Sequence, residues 1–421
     1  MMRILVLWIG KVTFWLLHIL HRRGAALPGL VVERLMPSFL SKSLKQLPQG
    51  VIIITGTNGK TTSTKMLTHV LRGKYRVLTN PTGSNFVRGI VASIVQHSTW
   101  SGKLAYDIGV FELDEAYAAR FVKQYKPRGV VVLNVMRDQM DRFGEIDHTA
   151  KLLTEVVQAT TEFAVLNADD PRVSAMQKHT KASVYFFGVD TSLRDIFRTD
   201  DELHDDTIKH VNTSPLSAKL KEFDETNRAT ISLQGGVVQA TLLAQGTYNA
   251  QNAAAVCLAA ELLKIDVATI TTRISKVSPA FGRGEHIKIG QKKVILQLVK
   301  NPGGFRHALL AGKKHSLAAT MIAINDDYPD GRDVSWLWDV DFNKGGIGGI
   351  VMTSGVRAAD MALRLKYDEC TAEHIEEDLS DAVDKLLEVG AQDATVLIYA
   401  TYTAMLSIRK ILAQKTEVEK V

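Results

Sequence analysis

Residues 51–65, VIIITGTNGKTTSTK, constrain the fold more than any other stretch of this sequence. The apolar, β-branched run Val51–Ile54 is typical of a buried strand, and a turn with two glycines separates it from a helical pattern. A strand, a glycine-rich turn and a helix in this order form a phosphate-binding loop, because backbone N–H groups at a helix N-terminus can surround an anion. The sequence therefore predicts an α/β nucleotide-binding domain.

The loop departs from the standard pattern G-x-x-x-x-G-K-[ST] at one position, since Ile54 stands where the first glycine is expected. Gly56 and Gly59 can adopt backbone angles that other residues avoid. Lys60 is predicted to reach the β- and γ-phosphates, and Thr61 to bind Mg²⁺. The alternative is a chance glycine-rich turn, which the order of strand, loop and helix disfavours.

Length and charge narrow the class of protein. A chain of 421 residues is long enough for two or three domains. Its net charge of +6 favours an anionic substrate or a membrane surface over nucleic acid, and no RNA- or DNA-binding motif is present. The two cysteines, Cys257 and Cys370, lie far apart, so we expect buried free thiols in a reducing compartment and no zinc site.

The N-terminal stretch Ile4–Leu20 is strongly apolar and is followed by Arg22 and Arg23. At about 17 residues it is short for a membrane span, and no cleavage site typical of a signal peptide follows. Three interpretations stay open: a helix packed internally or against a partner, an interfacial helix lying on a membrane, and a true span. Trp8 and Trp15 suit an interface as well as a core.

From Val51 onward, strand and helix patterns alternate as in a doubly wound parallel sheet, whose ligands bind at the carboxyl ends of strands. Predicted strands are 51–55, 75–78, 108–113, 129–134, 163–167 and 183–188, and, in a second α/β unit, 294–299, 318–324, 350–353 and 395–399. Residues 190–235 are predicted to be an irregular polar insertion, with a regular strand pattern returning near 229–243. The predicted domains are an N-terminal helix with a lead-in (1–50), a nucleotide-binding domain (51–284) and a C-terminal α/β domain (285–421).

Polar clusters follow several predicted strands. Glu112 ends one of them, and a carboxylate there can hold Mg²⁺, although a solvated acidic turn is the alternative. Segments 79–85 and 134–145 could serve substrate, phosphate or metal, or be ordinary surface turns. Asn249 is a predicted helix N-cap. The aspartate-rich loop 326–333 fits a calcium-like or solvated turn as well as a catalytic loop. No H-E-x-x-H or G-x-S-x-G motif occurs, which disfavours a self-contained hydrolase.

Several motifs together resemble known families. ITGTNGKTT, LNADDP, GTYNAQNAAAV and FGRGE resemble the Mur ligases and folylpolyglutamate synthases. RDQMDRFGEID, KNPGGF and INDDYPDGRDVSWLWDVDF resemble the MurT family, the ligase-like subunits of lipid II isoglutaminyl synthases. The resemblance runs from the N-terminal segment nearly to residue 410. It implies a Mur ligase-like central domain, a C-terminal α/β domain and a heterodimer with a glutamine amidotransferase subunit of the GatD type.

The resemblance also implies a reaction in peptidoglycan biosynthesis. ATP, with Mg²⁺, would phosphorylate the α-carboxylate of D-glutamate in the stem peptide of lipid II. Ammonia from the partner subunit would attack this acyl phosphate and give D-isoglutamine. A carboxylate is a poor electrophile, and phosphate supplies a good leaving group. The implied location is cytoplasmic, with peripheral contact at the inner face of the plasma membrane as an option.

The resemblance assigns roles residue by residue. Lys60 acts on the phosphates, Thr61 and Glu112 hold Mg²⁺, and Asp333 completes the Cys-His-Asp triad of the partner glutaminase. The implied nucleotide-binding residues are Gly56, Thr57, Asn58, Gly59, Lys60, Thr61, Thr62, Asn249, Asn252 and Arg283.

The sequence departs from its relatives in several places. About fifty residues precede the loop, too few for a UDP-binding domain of ordinary size, and Gln139 replaces a histidine usual in other Mur ligases. The four-cysteine zinc ribbon typical of MurT proteins is missing, so no zinc is expected. Gly303 and Arg306 also differ from the family pattern.

Two rival hypotheses are a stand-alone ligase of the folylpolyglutamate type, disfavoured by GRDVSW, and a non-catalytic scaffold, disfavoured by the intact Lys60, Thr61 and Glu112.

Overall fold

The computed structural model describes residues 2–19, 27–80, 85–137, 146–199, 201–202, 214–243, 247–278, 283–343 and 345–416. These residues form two β-sheets with helices packed on both faces. The strands of the first sheet are β1 (Val51–Thr55), β2 (Val77–Thr79), β3 (Ile108–Glu112), β4 (Gly129–Val132), β5 (Phe163–Asn167), β6 (Ser183–Val189), β7 (Leu216–Phe223), β8 (Arg228–Leu233) and β9 (Gly236–Thr241). The strands of the second sheet are β10 (Arg283–Ile289), β11 (Lys292–Leu298), β12 (Ala319–Ala323), β13 (Ile350–Ser354), β14 (His374–Glu376) and β15 (Thr395–Ala400).

Helices occupy most of the connections between these strands. Before and within the first sheet they are α1 (Met2–Ile19), α2 (Leu27–Leu35), α3 (Phe39–Leu44), α4 (Lys60–Leu71), α5 (Val87–His97), α6 (Glu115–Val122), α7 (Ile146–Ala159) and α8 (Pro171–Ala175). The later helices are α9 (Thr247–Leu262), α10 (Val267–Ile274), α11 (Pro302–Gly312), α12 (Ala358–Tyr367), α13 (Leu379–Glu388) and α14 (Tyr402–Ala413).

Strand β1 lies inside the first sheet, between β3 and β4, in the order β2-β3-β1-β4-β5-β6-β7-β8-β9. Its pairings with β3 and β4 are parallel, so the carboxyl ends of the three strands meet at one edge. Ile52 and Ile54 face one helical layer, and Val51 and Ile53 face the other. Burial on both faces explains the unbroken apolar run of this strand, and the strand order confirms the predicted doubly wound sheet.

The prediction of an irregular segment over 190–235 is wrong for residues 216–223, whereas the strand pattern predicted near 229–243 is confirmed by β8 and β9. Strands β7 and β8 extend the first sheet there, β7 parallel to β6 and β8 antiparallel to β7. Only alternate residues of β7 are buried, among them Ala218 and Leu220. A strand with one solvated face carries polar residues at every second position, and this composition resembles a loop.

The residues before β1 are more regular than the predicted lead-in. Helices α2 and α3 pack with α1 on the layer that covers one face of the first sheet, and Phe39 and Leu44 are fully buried there. Helix α1 buries only one side, through Val6 and Leu7. Within the described ranges, no helix is long and apolar enough to cross a membrane.

The second sheet has the order β10-β11-β15-β12-β13-β14, with β10 antiparallel and the other pairings parallel. On one face, the ring of Phe305 from α11 lies 5.1 Å from that of Phe342 and 5.2 Å from that of Tyr399.

The free thiols differ in exposure, since Cys257 is buried as predicted and Cys370 is only half-buried.

Phe305→Ala should lower the free energy of unfolding by about 3–5 kcal/mol, because it leaves a cavity among packed rings. Denaturant unfolding of the purified protein measures this change. The matched control Tyr328→Ala removes an exposed ring and should change stability by less than about 0.5 kcal/mol. Equal loss in the two variants would contradict the central place of Phe305 in this core.

Candidate active site

The glycine-rich loop connects β1 to α4, as the sequence predicts. Gly56 has φ of 124° and Gly59 has φ of 87°, angles that side-chain-bearing residues rarely adopt. A Cβ atom on Gly59 would lie 2.3 Å from Nδ2 of Asn252. The absence of a side chain at Gly59 therefore lets Asn252, on α9, lie directly against the loop.

The Lys60 side chain is buried and bends back over the loop. Its Nζ donates to the carbonyl oxygens of Gly56 at 2.6 Å and Thr57 at 3.3 Å. It also pairs with Asp114 Oδ1 at 3.5 Å and with Glu115 Oε2 at 3.3 Å. The ammonium group is thus held inside the loop, next to the position where phosphates bind in such loops.

Two acids share this buried position with a single lysine. Burial raises the pKa of Glu115 to about 8, the Lys60 ammonium opposes this rise, and the neighbouring Asp114 adds to it. We conclude that Glu115 keeps its proton near neutral pH, because one ammonium cannot stabilise two carboxylates out of water.

Thr61 and Glu112 are brought together at the start of α4. Thr61 Oγ1 donates to Glu112 Oε1 at 2.8 Å. Asn80 fixes the backbone of Glu112, since its Oδ1 accepts from the Glu112 N–H at 3.0 Å and its Nδ2 donates to the Glu112 carbonyl at 2.9 Å. A hydroxyl and a carboxylate are hard oxygen ligands, which fit Mg²⁺. No three His, Cys, Asp or Glu side chains converge as a metal site in the described ranges.

Two asparagines hold the phosphate loop: Asn134, which belongs to the predicted polar segment 134–145, and Asn301, to which sequence reasoning assigned no role. Asn134 Oδ1 accepts from the Asn58 N–H at 2.8 Å, and its Nδ2 donates to the Asn58 carbonyl at 3.1 Å. Asn301 exchanges amide hydrogen bonds of 3.1 and 3.2 Å with the side chain of Asn58 and caps α11. Asn134 is the last residue of the predicted strand 129–134, and Asn301 lies two residues after the predicted strand 294–299, so the position at a strand's carboxyl end was the available signal. The second α/β unit thus contacts the phosphate loop.

A second contact between the two units involves His307, which sequence reasoning also missed. Its ring lies 3.6 Å from that of Tyr248, centroid to centroid, and its Nδ1 is 2.8 Å from Thr247 Oγ1. Burial, helped by Arg306, lowers the pKa of His307 to about 3. The imidazole is therefore neutral and joins the start of α9 to α11.

Asp333 lies elsewhere, in a cleft of about 330 Å³ whose lining shares no residue with the phosphate loop. Its Oδ1 accepts from the Ser335 N–H at 2.8 Å, and its side chain is partly exposed. The cleft is lined by Arg332, Asp333, Val334, Ser335, Leu337, Trp338, Arg357, Asp360, Leu363 and Arg364. The nearby Asp330 is buried and accepts from the N–H and hydroxyl of Thr403, so it serves the start of α14.

The remaining predicted residues divide into three groups. Thr57 and Thr62 are buried in the loop and in α4. The N-cap prediction for Asn249 is wrong, because α9 begins at Thr247 and Asn249 lies inside its first turn. Arg283 opens β10, where its backbone pairs with Gln297, and its side chain is outside the described part. Residues 81–84 and 138–145, with Gln139, are also outside the described residues.

Comparisons with known proteins agree with this arrangement. The Mur ligase middle domain family matches residues 54–260, and the MurT ligase C-terminal family matches residues 298–405. Subunit MurT of the glutamine-hydrolyzing lipid II isoglutaminyl synthase of Streptococcus pneumoniae is 32% identical over 94% of each chain. The Staphylococcus aureus subunit of the same name is 28% identical over 91% of this chain and 92% of its own. A crystal structure of MurF from Acinetobacter baumannii superposes with a TM-score of 0.72 at 17% identity, covering 92% of this chain and 80% of MurF.

The fold and the phosphate loop define an ATP-dependent ligase of the Mur ligase class. Within this class, both domain families match the chain, and the alignment with the Streptococcus pneumoniae subunit covers 94% of each chain. These matches identify the family. The chain belongs to the MurT family, which confirms the resemblance inferred from its motifs.

Glu115→Gln should weaken the pH dependence of stability. Because the pKa of Glu115 is raised from 4.5 to about 8 on folding, the folded protein keeps a proton that the unfolded chain loses. The unfolding free energy therefore falls as pH rises through this window, by up to about 1.4 kcal/mol per pH unit, and glutamine removes this contribution. Denaturant titrations across the window, without nucleotide, measure it. The exposed control Glu155→Gln should keep the wild-type slope, and an unchanged slope in Glu115→Gln would contradict the buried proton.

Proposed function

We propose that this chain is the synthetase subunit that amidates the D-glutamate α-carboxylate of the lipid II stem peptide to D-isoglutamine, using ATP. The observation that carries the proposal is the convergence of Lys60, Thr61 and Glu112 on one phosphate loop. The substrate and the reaction are inferred from the MurT relatives, which are named as subunits of lipid II isoglutaminyl synthases. The product belongs to peptidoglycan biosynthesis.

In the proposed first step, the γ-phosphoryl group of ATP is transferred to the substrate carboxylate. The N–H groups of residues 56–62 and the N-terminus of α4 would bind the phosphates. Lys60 would exchange its contacts with loop carbonyls for phosphate oxygens and stabilise charge on the transferring group. Asn252, in contact with Gly59, together with Asn249 and Arg283, would hold the rest of the nucleotide.

Thr61 and Glu112 are the proposed Mg²⁺ ligands. Their 2.8 Å hydrogen bond already brings both oxygens to one point beside the loop. A bound ion would supply neutralisation of phosphate charge. Asn80 acts as a positioning residue, because its two hydrogen bonds to the Glu112 backbone fix the strand end that carries the carboxylate.

In the proposed second step, ammonia attacks the acyl phosphate, forming the amide bond as phosphate leaves. The ammonia would come from a GatD-type glutaminase bound at the Asp333 cleft. There Asp333 would orient the histidine of the partner's Cys-His-Asp triad. Its partial exposure in an open cleft supports this role, since a carboxylate that completes a site on another chain must be reachable. The lipid-linked substrate also implies peripheral contact with the inner face of the plasma membrane.

Lys60→Ala should reduce amidation by at least about a hundredfold with either glutamine or free ammonium as nitrogen source, because phosphoryl transfer precedes both. The assay follows conversion of lipid II by the complex with its glutaminase. Lys65→Ala, an exposed lysine on the same helix that bonds Ser278, should retain activity. Ammonium-driven amidation by Lys60→Ala at the wild-type rate would refute the phosphate role.

Asp333→Asn should abolish glutamine-driven amidation and leave ammonium-driven amidation within about twofold, because only the partner's histidine loses its carboxylate. The matched control Asp327→Asn removes an exposed acid from the same loop and should spare both. Equal loss of the two activities would contradict the triad assignment. Failure of the chain to co-purify with a glutaminase, together with no amidation, would instead favour a stand-alone ligase.

A further inference from the structure

One side of α1 is an exposed apolar surface that the proposed reaction does not use. It consists of Met2, Leu5, Trp8, Ile9, Val12, Trp15, Leu16 and Ile19. At 100° per residue these side chains fall within an arc of about 140° on the helix. The opposite side is buried by Val6 and Leu7, and Gly10 permits close packing because a Cβ there would lie 2.6 Å from Val32. One side of α1 therefore packs against the protein, and the other side is exposed to solvent.

Three of the five tryptophans of the chain lie on or beside this surface. Trp8 Nε1 donates to the carbonyl oxygen of Trp100 at 2.8 Å, and the Lys11 ammonium lies 5.3 Å from the Trp100 ring centroid. Trp15 and Trp100 are each 63% exposed. Large aromatic side chains with a polar edge and neighbouring cations are typical of surfaces at the boundary of a lipid bilayer.

The charge of the chain is strongly divided along the sequence. Residues 1–106 contain fourteen lysines and arginines and one acid, Glu33, whereas the rest of the chain holds 37 basic and 44 acidic residues. The single acid pairs with Arg88 at 3.6 Å. The part of the chain that carries α1 is therefore basic while the remainder is acidic. Not all of these charges face the apolar surface, since Lys60 pairs with Asp114 and Glu115, and Arg76 pairs with Asp107 just beyond this part of the chain. Two cations of α1 do lie beside it, because Lys11 contacts the Trp100 ring and Arg3 Nη2 donates to the Gly102 carbonyl at 3.1 Å. These cations favour an anionic occupant for the apolar surface.

The same helical layer reaches the candidate active site. Gly10 of α1 packs against Val95 near the end of α5. At the other end of α5, the carbonyl of Asn85 accepts from the N–H of Asp114, beside Lys60. Helix α5, which is about 16 Å long, therefore contacts α1 near one end and lies beside the candidate active site at the other.

We infer that the exposed side of α1, with Trp100, is a docking surface for an anionic phospholipid bilayer. Its apolar side chains enter the boundary between headgroups and acyl chains, and Arg3 and Lys11 of the same helix attract the lipid charge. This inference deepens the proposed function and rests on it for the lipid-linked substrate, although binding to the bilayer requires neither ATP nor a partner. It explains how an enzyme without a spanning helix in its described part meets a lipid-linked substrate.

The test is flotation of the full chain with vesicles of phosphatidylcholine alone or mixed with phosphatidylglycerol, without nucleotide. Wild type should bind the mixed vesicles, and added salt should weaken the binding. Val12→Glu should reduce binding about tenfold or more. Val237→Glu is the matched control, because Val12 and Val237 are equally exposed, at 49% each, and it should bind as wild type. A second variant, Trp15→Ser, should also weaken binding.

Several results would overturn the inference. These are no binding of wild type to anionic vesicles, equal binding of Val12→Glu and wild type, or a wild-type dimer that Val12→Glu dissociates on gel filtration. An activity measurement separates this inference from the proposed function. Val12→Glu should lose amidation of lipid II in vesicles but keep amidation of a lipid-free stem peptide. If Val12→Glu loses both activities, Val12 is needed for the folded structure of the enzyme, and the proposed role of this surface in membrane docking is overturned.

Discussion

The parallel pairing of β1 with β3 and β4 is the constraint on which the site depends. It aligns Ile54 with Glu112 and Thr55 with Val132, so the loop after β1 meets the polar residues that follow its neighbours. Glu112 then lies within hydrogen-bonding distance of Thr61, and Asn134 within that of Asn58. A parallel sheet buried on both faces has little freedom in register, because a shift of one residue would exchange the side chains of two closely packed layers and leave clashes and cavities in both.

The buried Lys60 shows how the loop is kept ready for an anion. Loop carbonyls and two acids hold its ammonium, and the raised pKa of Glu115 limits the negative charge around it. A lysine that shares its charge with weak, partly neutral partners can transfer its contacts to a phosphate at lower cost than one in a strong ion pair. The amide contacts from Asn301 link the second unit to the same loop.

The sequence predicted the elements with regular patterns. Strand β1 has the predicted bounds, and α4 follows the glycine-rich turn as predicted, because an apolar strand and a glycine-rich turn specify their own geometry. Strand β7 was not predicted, because its alternating polar residues resemble a loop. Helices α2 and α3 were not predicted, because Pro28, Pro37 and Pro48 interrupt the helical pattern of this part of the sequence. In the site, the loop follows β1 as predicted and Thr61 lies beside Glu112, while their binding of Mg²⁺ stays a prediction. Asn301 and His307 could not be assigned, because they reach the first unit only through tertiary packing.

The sequence by itself determined the class of protein, since the strand–loop–helix stretch and the motifs around it encode a phosphate site and the MurT family. It also determined the charge asymmetry of the chain, which is a property of composition. Only the tertiary structure decided which side of α1 is exposed and that Asp333 occupies a cleft separate from the loop. Both depend on contacts between residues distant in sequence, and local patterns cannot specify these contacts.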